Sequence, residues 1–214
     1  MSVVATVAVI GVLASGALAI IGVEAHVRVL TLVFKPLATL LLFAVMGWPH
    51  GFYAWCIAIG FVFSLAGDVA LLSPSNRAFI IGLAAFLLGH VAYVVAFISV
   101  DIPPGWLLYG AIVIVGTATV SVLRMILPGA AGMKIPVLIY AAVITAMVVT
   151  AWCTIGGPLP RAIYAAVGAT LFYLSDMSLS LDRFWKPIPR GALLTMGVYW
   201  LGQLGIAWSA APGN

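Results

Sequence analysis

Two aspartates, Asp68 and Asp176, sit where a carboxylate is least expected. Asp68 falls in FVFSLAGDVALL, residues 61–72, a stretch otherwise fit for lipid or a packed membrane interior. Asp176 occupies the matching place in LFYLSDMSLSLDRF, residues 171–184, so the chain states nearly the same segment twice. A charged side chain in mid-helix costs roughly 2.5–3.5 kcal/mol on membrane-insertion scales. Two such costs at equivalent points call for more than packing. An acid and a base of one residue type, split by their surroundings, is how a site runs proton chemistry near neutral pH.

The elements that must carry them follow from composition. The chain has 214 residues, 65% hydrophobic and 7% charged, against about 25% charged in a soluble domain. A polytopic all-α membrane protein is the reading. Apolar runs of about 20 residues, enough to cross a hydrocarbon core of roughly 30 Å, recur near 2–23, 28–47, 52–72, 77–99, 105–126, 133–153, 160–181 and 190–210. The breaks carry turn chemistry: Trp48-Pro49-His50-Gly51, Ser73-Pro74-Ser75-Asn76, Asp101-Ile102-Pro103-Pro104-Gly105, Pro128-Gly129 and Gly156-Gly157-Pro158. Connections this short predict one eight-transmembrane-helix bundle over residues 1–214. The first run lacks a positive leader region and reads as a span rather than a signal peptide.

Basic residues set the orientation. Arg28, Arg77, Arg124, Lys134, Arg183, Lys186 and Arg190 fall on one side and Arg161 alone on the other. Both termini are therefore expected outside the cytoplasm. The third and seventh spans then run in the same direction, which fits two parallel four-helix repeats, 1–104 and 105–214. Lys35-Pro36 in the second span and Lys134-Ile135-Pro136 opening the sixth are a further echo. The net charge of +4 is loop charge, and no basic run with interleaved aromatics points to nucleic acid.

Depth, counted at 1.5 Å per residue, gathers most of the polar groups in the cytoplasmic half, with His90 and Gln203 deeper. Lys35 lies about 10 Å in from Arg28, Asp68 about 8 Å from Ser73 and Asp176 about 9 Å from Asp182. Tyr140 is roughly 9 Å from Lys134, Tyr199 roughly 13 Å from Arg190, and His90 and Gln203 lie near 20 Å. Each has a bland account: Lys35 can snorkel, either aspartate can merely pin helices through Lys35 or a loop arginine, and tyrosines are common near interfaces. Taken together they resist it, because one lysine cannot neutralise two separated carboxylates. Other chemistries score poorly. His26 and His50 lie on opposite sides, leaving His90 without the convergent partners a zinc site needs. No phosphate-cradling glycine loop or serine elbow is present, and Ser175 points away from its neighbour Asp176. Cys56 and Cys153 lie near helix ends on one side, where a disulfide competes with the commoner reading as small buried groups.

At these residues the chain resembles the YhhN-like lysoplasmalogenase family of integral membrane proteins. The matching features are Lys35-Pro36, Gly67-Asp68 with Leu71, Gly82, Phe86, His90 and Tyr93, then Tyr140, Ser175-Asp176, Asp182-Arg183-Phe184, Tyr199 and Gln203. The resemblance spans the second to eighth helices and implies hydrolysis of the vinyl ether bond of a lysoplasmalogen, giving a fatty aldehyde and a glycerophospho-headgroup. That reaction suits the residues: a carboxylic acid protonates the alkene, and a carboxylate steadies the cation and activates water, as in glycosidases. Asp68 and Asp176 are expected to share these roles without a cofactor or metal, with Lys35 tuning one of them or meeting the lipid phosphate. Tyr140, Tyr199 and Gln203 are expected to position water or the glycerol hydroxyl, His90 to bridge helices, and Arg77 and Arg183 to flank a cytoplasmic mouth for the headgroup. The short loops and missing N-terminal extension look bacterial, hence an inner-membrane location. Two other classes compete: a proton-coupled transporter using the same aspartates, and a lipid-binding scaffold without turnover.

Overall fold

A computed structural model describes residues 3–100 and 105–211, the side chain of Trp106 excepted. Among these residues all regular structure is helical: α1 (Val3–Glu24), α2 (Arg28–Met46), α3 (Gly51–Ala70), α4 (Asn76–Ile98), α5 (Trp106–Ile126), α6 (Lys134–Cys153), α7 (Ala162–Phe184) and α8 (Gly191–Ala210), with one 3-10 turn at Ala131–Met133. Helices are the economical answer for such a chain, because each satisfies its own backbone groups without water. The expected bounds hold to within a few residues. The largest difference is at α7, which runs on to Phe184, where Lys186-Pro187 ends it. Of the expected 101–105 turn, only Gly105 lies among the described residues.

Seven of the eight helices are long and apolar enough to cross a membrane. The exception, α8, has 20 residues but carries Thr195, Tyr199, Trp200 and Gln203 along with three interior glycines. Its polarity is inward-facing: Tyr199, Trp200 and Gln203 are all buried. The core is apolar, as in a soluble globule, but the surface is apolar too. Val4, Ile10, Val29, Val113 and Ile114 stand exposed, while Lys35, Asp68, His90, Asp176 and Gln203 are buried. Exposed aliphatics and buried charges are what lipid as solvent selects. This is an integral membrane protein.

The helices pair as α1 with α2, α3 with α4, and α7 with α8, and the pairs are joined by α2 against α8 and α4 against α6. Among the described residues, helix α5 is peripheral and packs on α6 and α7. Missing side chains permit the closest approaches. A Cβ on Gly202 would lie 2.7 Å from the Phe172 backbone nitrogen, and one on Gly168 would lie 2.7 Å from the Gly202 carbonyl oxygen. Neither neighbour is a side chain that can swing aside, and small residues at such seams drive helix association in lipid. Gly202→Ala is therefore expected to push α8 off α7 and destabilise the protein by about 1–3 kcal/mol. Thermal unfolding in detergent checks this; an unshifted midpoint would show the seam to be loose.

Cys56 and Cys153 are both buried and unbonded, as small apolar groups. Pro36 stands inside α2 and leaves the Leu32 carbonyl without its usual donor, one turn before Lys35 and two turns before Thr39.

Candidate active site

Asp68 lies in the last turn of α3, 1% exposed, and is met from two other helices. From α2, Lys35 brings its Nζ to 3.6 Å from Oδ1, and Thr39, one turn further on, donates to Oδ2 at 2.5 Å. From α8, Tyr199 donates its hydroxyl to the same oxygen at 2.9 Å. Tyr199 is itself held by Gln203, whose Nε2 donates to it at 3.2 Å. The Gln203 carbonyl oxygen accepts from Tyr93 at 2.8 Å. Four helices thus converge on one carboxylate through a continuous chain of donors.

Asp176, in the second half of α7, has a different shell. Tyr140 of α6 donates its hydroxyl to Oδ2. The Nε2 of His90 on α4 lies 3.7 Å from the same oxygen. Among the described residues no lysine or arginine pairs with it. His90 is fully buried and neither ring nitrogen has a hydrogen-bond partner. Its ring instead packs edge-on against Phe172, with centroids 4.6 Å apart, and against Tyr140 at 5.2 Å. The expected helix-bridging hydrogen bond from His90 is thus not made: its ring packs edge-on against Phe172 and Tyr140, and the Asp176 carboxylate stands just beyond bonding distance at 3.7 Å.

The two aspartates face one cavity of about 310 Å³, lined among others by Lys35, Asp68, Phe86, Ser175, Asp176 and Tyr199. Asp182, Gly191 and Ala192 line its outer part, at the connection between α7 and α8. Phe86 and Tyr199 give it an aromatic wall, Phe86 edge-on to Tyr199 with centroids 5.9 Å apart, and Phe172 packs behind Tyr199 at 5.1 Å. Ser175 sends its hydroxyl to the Thr195 carbonyl at 2.8 Å and plays no part in an Asp176 pair.

The other expected contacts sort by place. Lys35 and Tyr199 line this chamber, whereas Tyr140 approaches Asp176 from a neighbouring apolar slot. Gln203 lines neither, because both ends of its amide are spent on Tyr93 and Tyr199; it holds the tyrosine rather than a ligand. Arg77 and Arg183 are exposed and do not line the chamber. The Arg183 guanidinium donates to Asn76 Oδ1 at 2.6 Å and covers the Phe79 ring at 4.8 Å, tying α7 to α4. Thr39 was not anticipated. Its signal was present, since it follows Lys35 by four residues and so shares its helix face.

Lys35, Asp68 and Tyr199 stand on α2, α3 and α8; Tyr140, Asp176 and His90 stand on α6, α7 and α4. Lys35 and Tyr140, Asp68 and Asp176, and His90 and Tyr199 lie 105, 108 and 109 positions apart along the chain.

Residues 30–210 match the YhhN family. The chain belongs to the YhhN family. Among relatives of this YhhN protein, the lysoplasmalogenase TMEM86B of Homo sapiens is 36% identical over 164 residues, 76% of this chain and 66% of the relative. TMEM86B of Mus musculus is 31% identical over 178 residues, 82% of this chain and 72% of the relative. The lysoplasmalogenase of Mycobacterium tuberculosis is 31% identical over 169 residues, covering 77% and 62%. The chain therefore spans roughly two thirds of the length of these relatives. No solved structure matches it at a significant level.

Proposed function

We propose that this chain hydrolyses the vinyl ether bond of a lysoplasmalogen, or a closely related lysolipid, inside the membrane. The observation that carries the reading is the shared chamber: two buried carboxylates from equivalent helices face one cavity beneath an aromatic wall. The relatives named lysoplasmalogenase give the reaction class.

The unlike shells divide the labour. Asp176, with a phenol donor, the His90 ring and, among the described residues, no lysine or arginine beside it, is the carboxylic acid. Asp68, facing Lys35 and two hydroxyl donors, is the carboxylate. Asp176 delivers its proton to the alkene carbon remote from the ether oxygen, leaving an oxocarbenium ion and an Asp176 carboxylate. Asp68 steadies that cation and takes a proton from the water that adds to it. The resulting hemiacetal breaks its bond to the glycerol oxygen, which receives the proton held by Asp68, while the hemiacetal hydroxyl returns its proton to Asp176. One water is consumed, a fatty aldehyde and a glycerophospho-headgroup leave, and both aspartates regain their starting states.

In this reading all eight helices span the bilayer with both termini outside the cytoplasm, set by the bias of basic residues at one end. The matched half-sites descend from two parallel four-helix repeats. The chamber opens at the cytoplasmic face of a bacterial inner membrane, where the lysolipid headgroup sits near the α7–α8 connection.

The purified protein, offered a lysoplasmalogen and the ester lysophospholipid of the same chain and headgroup, is expected to release aldehyde from the first and no fatty acid from the second. Fatty acid from the ester, or no aldehyde from the vinyl ether, would refute the assignment.

A further inference from the structure

Proton delivery leaves Asp176 as a carboxylate where, among the described residues, no lysine or arginine pairs with it. Tyr140 supplies one donor, to Oδ2. The other polar group at that oxygen is the imidazole of His90 on α4, whose Nε2 lies 3.7 Å away. That is about half an ångström beyond the range of an ordinary N–H···O hydrogen bond.

His90 is costly to keep there. It is fully buried, and among the described residues neither ring nitrogen has a hydrogen-bond partner. Burying a polar group without a partner costs free energy, so a native fold that retains one calls for an account. Packing alone does not supply it, since leucine would fill much the same space without that cost. Phe172 and Tyr140 hold the ring edge-on, with centroids 4.6 and 5.2 Å away. The ring lines neither the chamber nor the apolar slot, so it reaches the lipid only through Asp176.

An N–H in that position distinguishes two states of Asp176. Beside the neutral acid it makes no hydrogen bond. Beside the carboxylate, a small closing movement makes a charge-assisted bond, roughly twice as strong as a neutral one. Only interactions stronger in the transition state than in the ground state accelerate a step, and catalytic contacts that are long at rest often tighten as the reaction proceeds.

We propose that His90 is a positioning residue for the acid step: its Nε2–H stands in reserve and closes on Asp176 Oδ2 as the proton leaves for the alkene. The ring itself gains and loses no proton; only its distance to Oδ2 changes. This rests on the reading of Asp176 as the acid.

Two measurements test it. The first reads the ring without turnover. The chain has three histidines, of which His26 and His50 are exposed. Nitrogen-15 NMR of histidine-labelled protein in detergent near neutral pH therefore isolates His90, identified by its loss in His90→Leu. A neutral ring with its proton on Nε2 is expected. A proton on Nδ1 overturns the proposal, because Nε2 would then turn a lone pair to Oδ2. A doubly protonated ring also overturns it, because Asp176 would already be a carboxylate.

The second is kinetic. His90→Leu removes both nitrogens, and His90→Gln keeps an N–H at about the reach of Nε2. His90→Leu is expected to lower kcat for aldehyde release about ten- to a hundred-fold, the worth of a hydrogen bond to a charged group. KM is expected to stay near the wild-type value, since the bond forms only as Asp176 gives up its proton. The unfolding midpoint of His90→Leu is expected at or above that of wild type, because an unmatched buried group has gone. His90→Gln is expected to recover most of the lost kcat. Wild-type kcat in folded His90→Leu, or no recovery in folded His90→Gln, overturns the proposal. A midpoint lowered in both variants overturns it too, by making the ring a packing element. No aldehyde from wild type, with the proton found on Nε2, refutes the hydrolytic reading and its acid step while leaving the pairing of His90 with Asp176 intact.

Discussion

Asp176→Asn is expected to lower aldehyde release by about two to four orders of magnitude while the protein stays folded, and Asp68→Asn by a similar factor. That is the usual worth of a positioned proton donor or acceptor. Asparagine has nearly the shape of aspartate, and its amide oxygen still accepts from Tyr140 at position 176. It carries no acidic proton, so the alkene would lack its donor. At position 68 the amide oxygen still accepts from Thr39 and Tyr199, but water would lose its base and the cation its counter-charge. Turnover by purified variants, with unfolding midpoints alongside, checks both. Undiminished turnover in either folded variant removes that residue from the mechanism.

Lys35→Met is expected to cost about 3–5 kcal/mol of stability, because it leaves the Asp68 carboxylate buried without its cation. Thr39 and Tyr199 remain as donors, but two hydroxyls do not replace a charge. Combining Lys35→Met with Asp68→Asn is expected to recover much of that loss, since the double variant buries no charge at this place. A double-mutant cycle from unfolding in detergent reads the coupling. Strictly additive effects would mean that the two groups do not depend on each other. Lys35→Arg is also expected to be poorly tolerated, as a planar guanidinium does not fit where a single ammonium meets one oxygen.

The sequence was most legible in its helices. Eight apolar runs separated by Pro- and Gly-rich breaks gave bounds close to those observed, because a membrane span is decided locally by length and apolarity. The site was legible in part, and the reason differs by residue. Asp68, Asp176 and Lys35 stand out because a charge in an apolar helix has few innocent explanations. Thr39 does not, since threonine is unremarkable in such helices until a neighbour gives it a bond. Arg77 and Arg183 were expected near the chamber from their place at helix ends; depth alone could not show that Arg183 turns to Asn76 and Phe79.

What the chain determines by itself is how many helices form, where they end and at what depth each polar group lies, since those depend on residue count and local composition. How each helix is turned about its axis was decided by tertiary packing. Helices such as α4 and α6 are apolar nearly all round, so no single face announces its partner. Packing α2 against α8 and α4 against α6 is what turns Lys35 and Tyr199 onto Asp68, brings Tyr140 and His90 to Asp176, and opens one chamber between the two carboxylates.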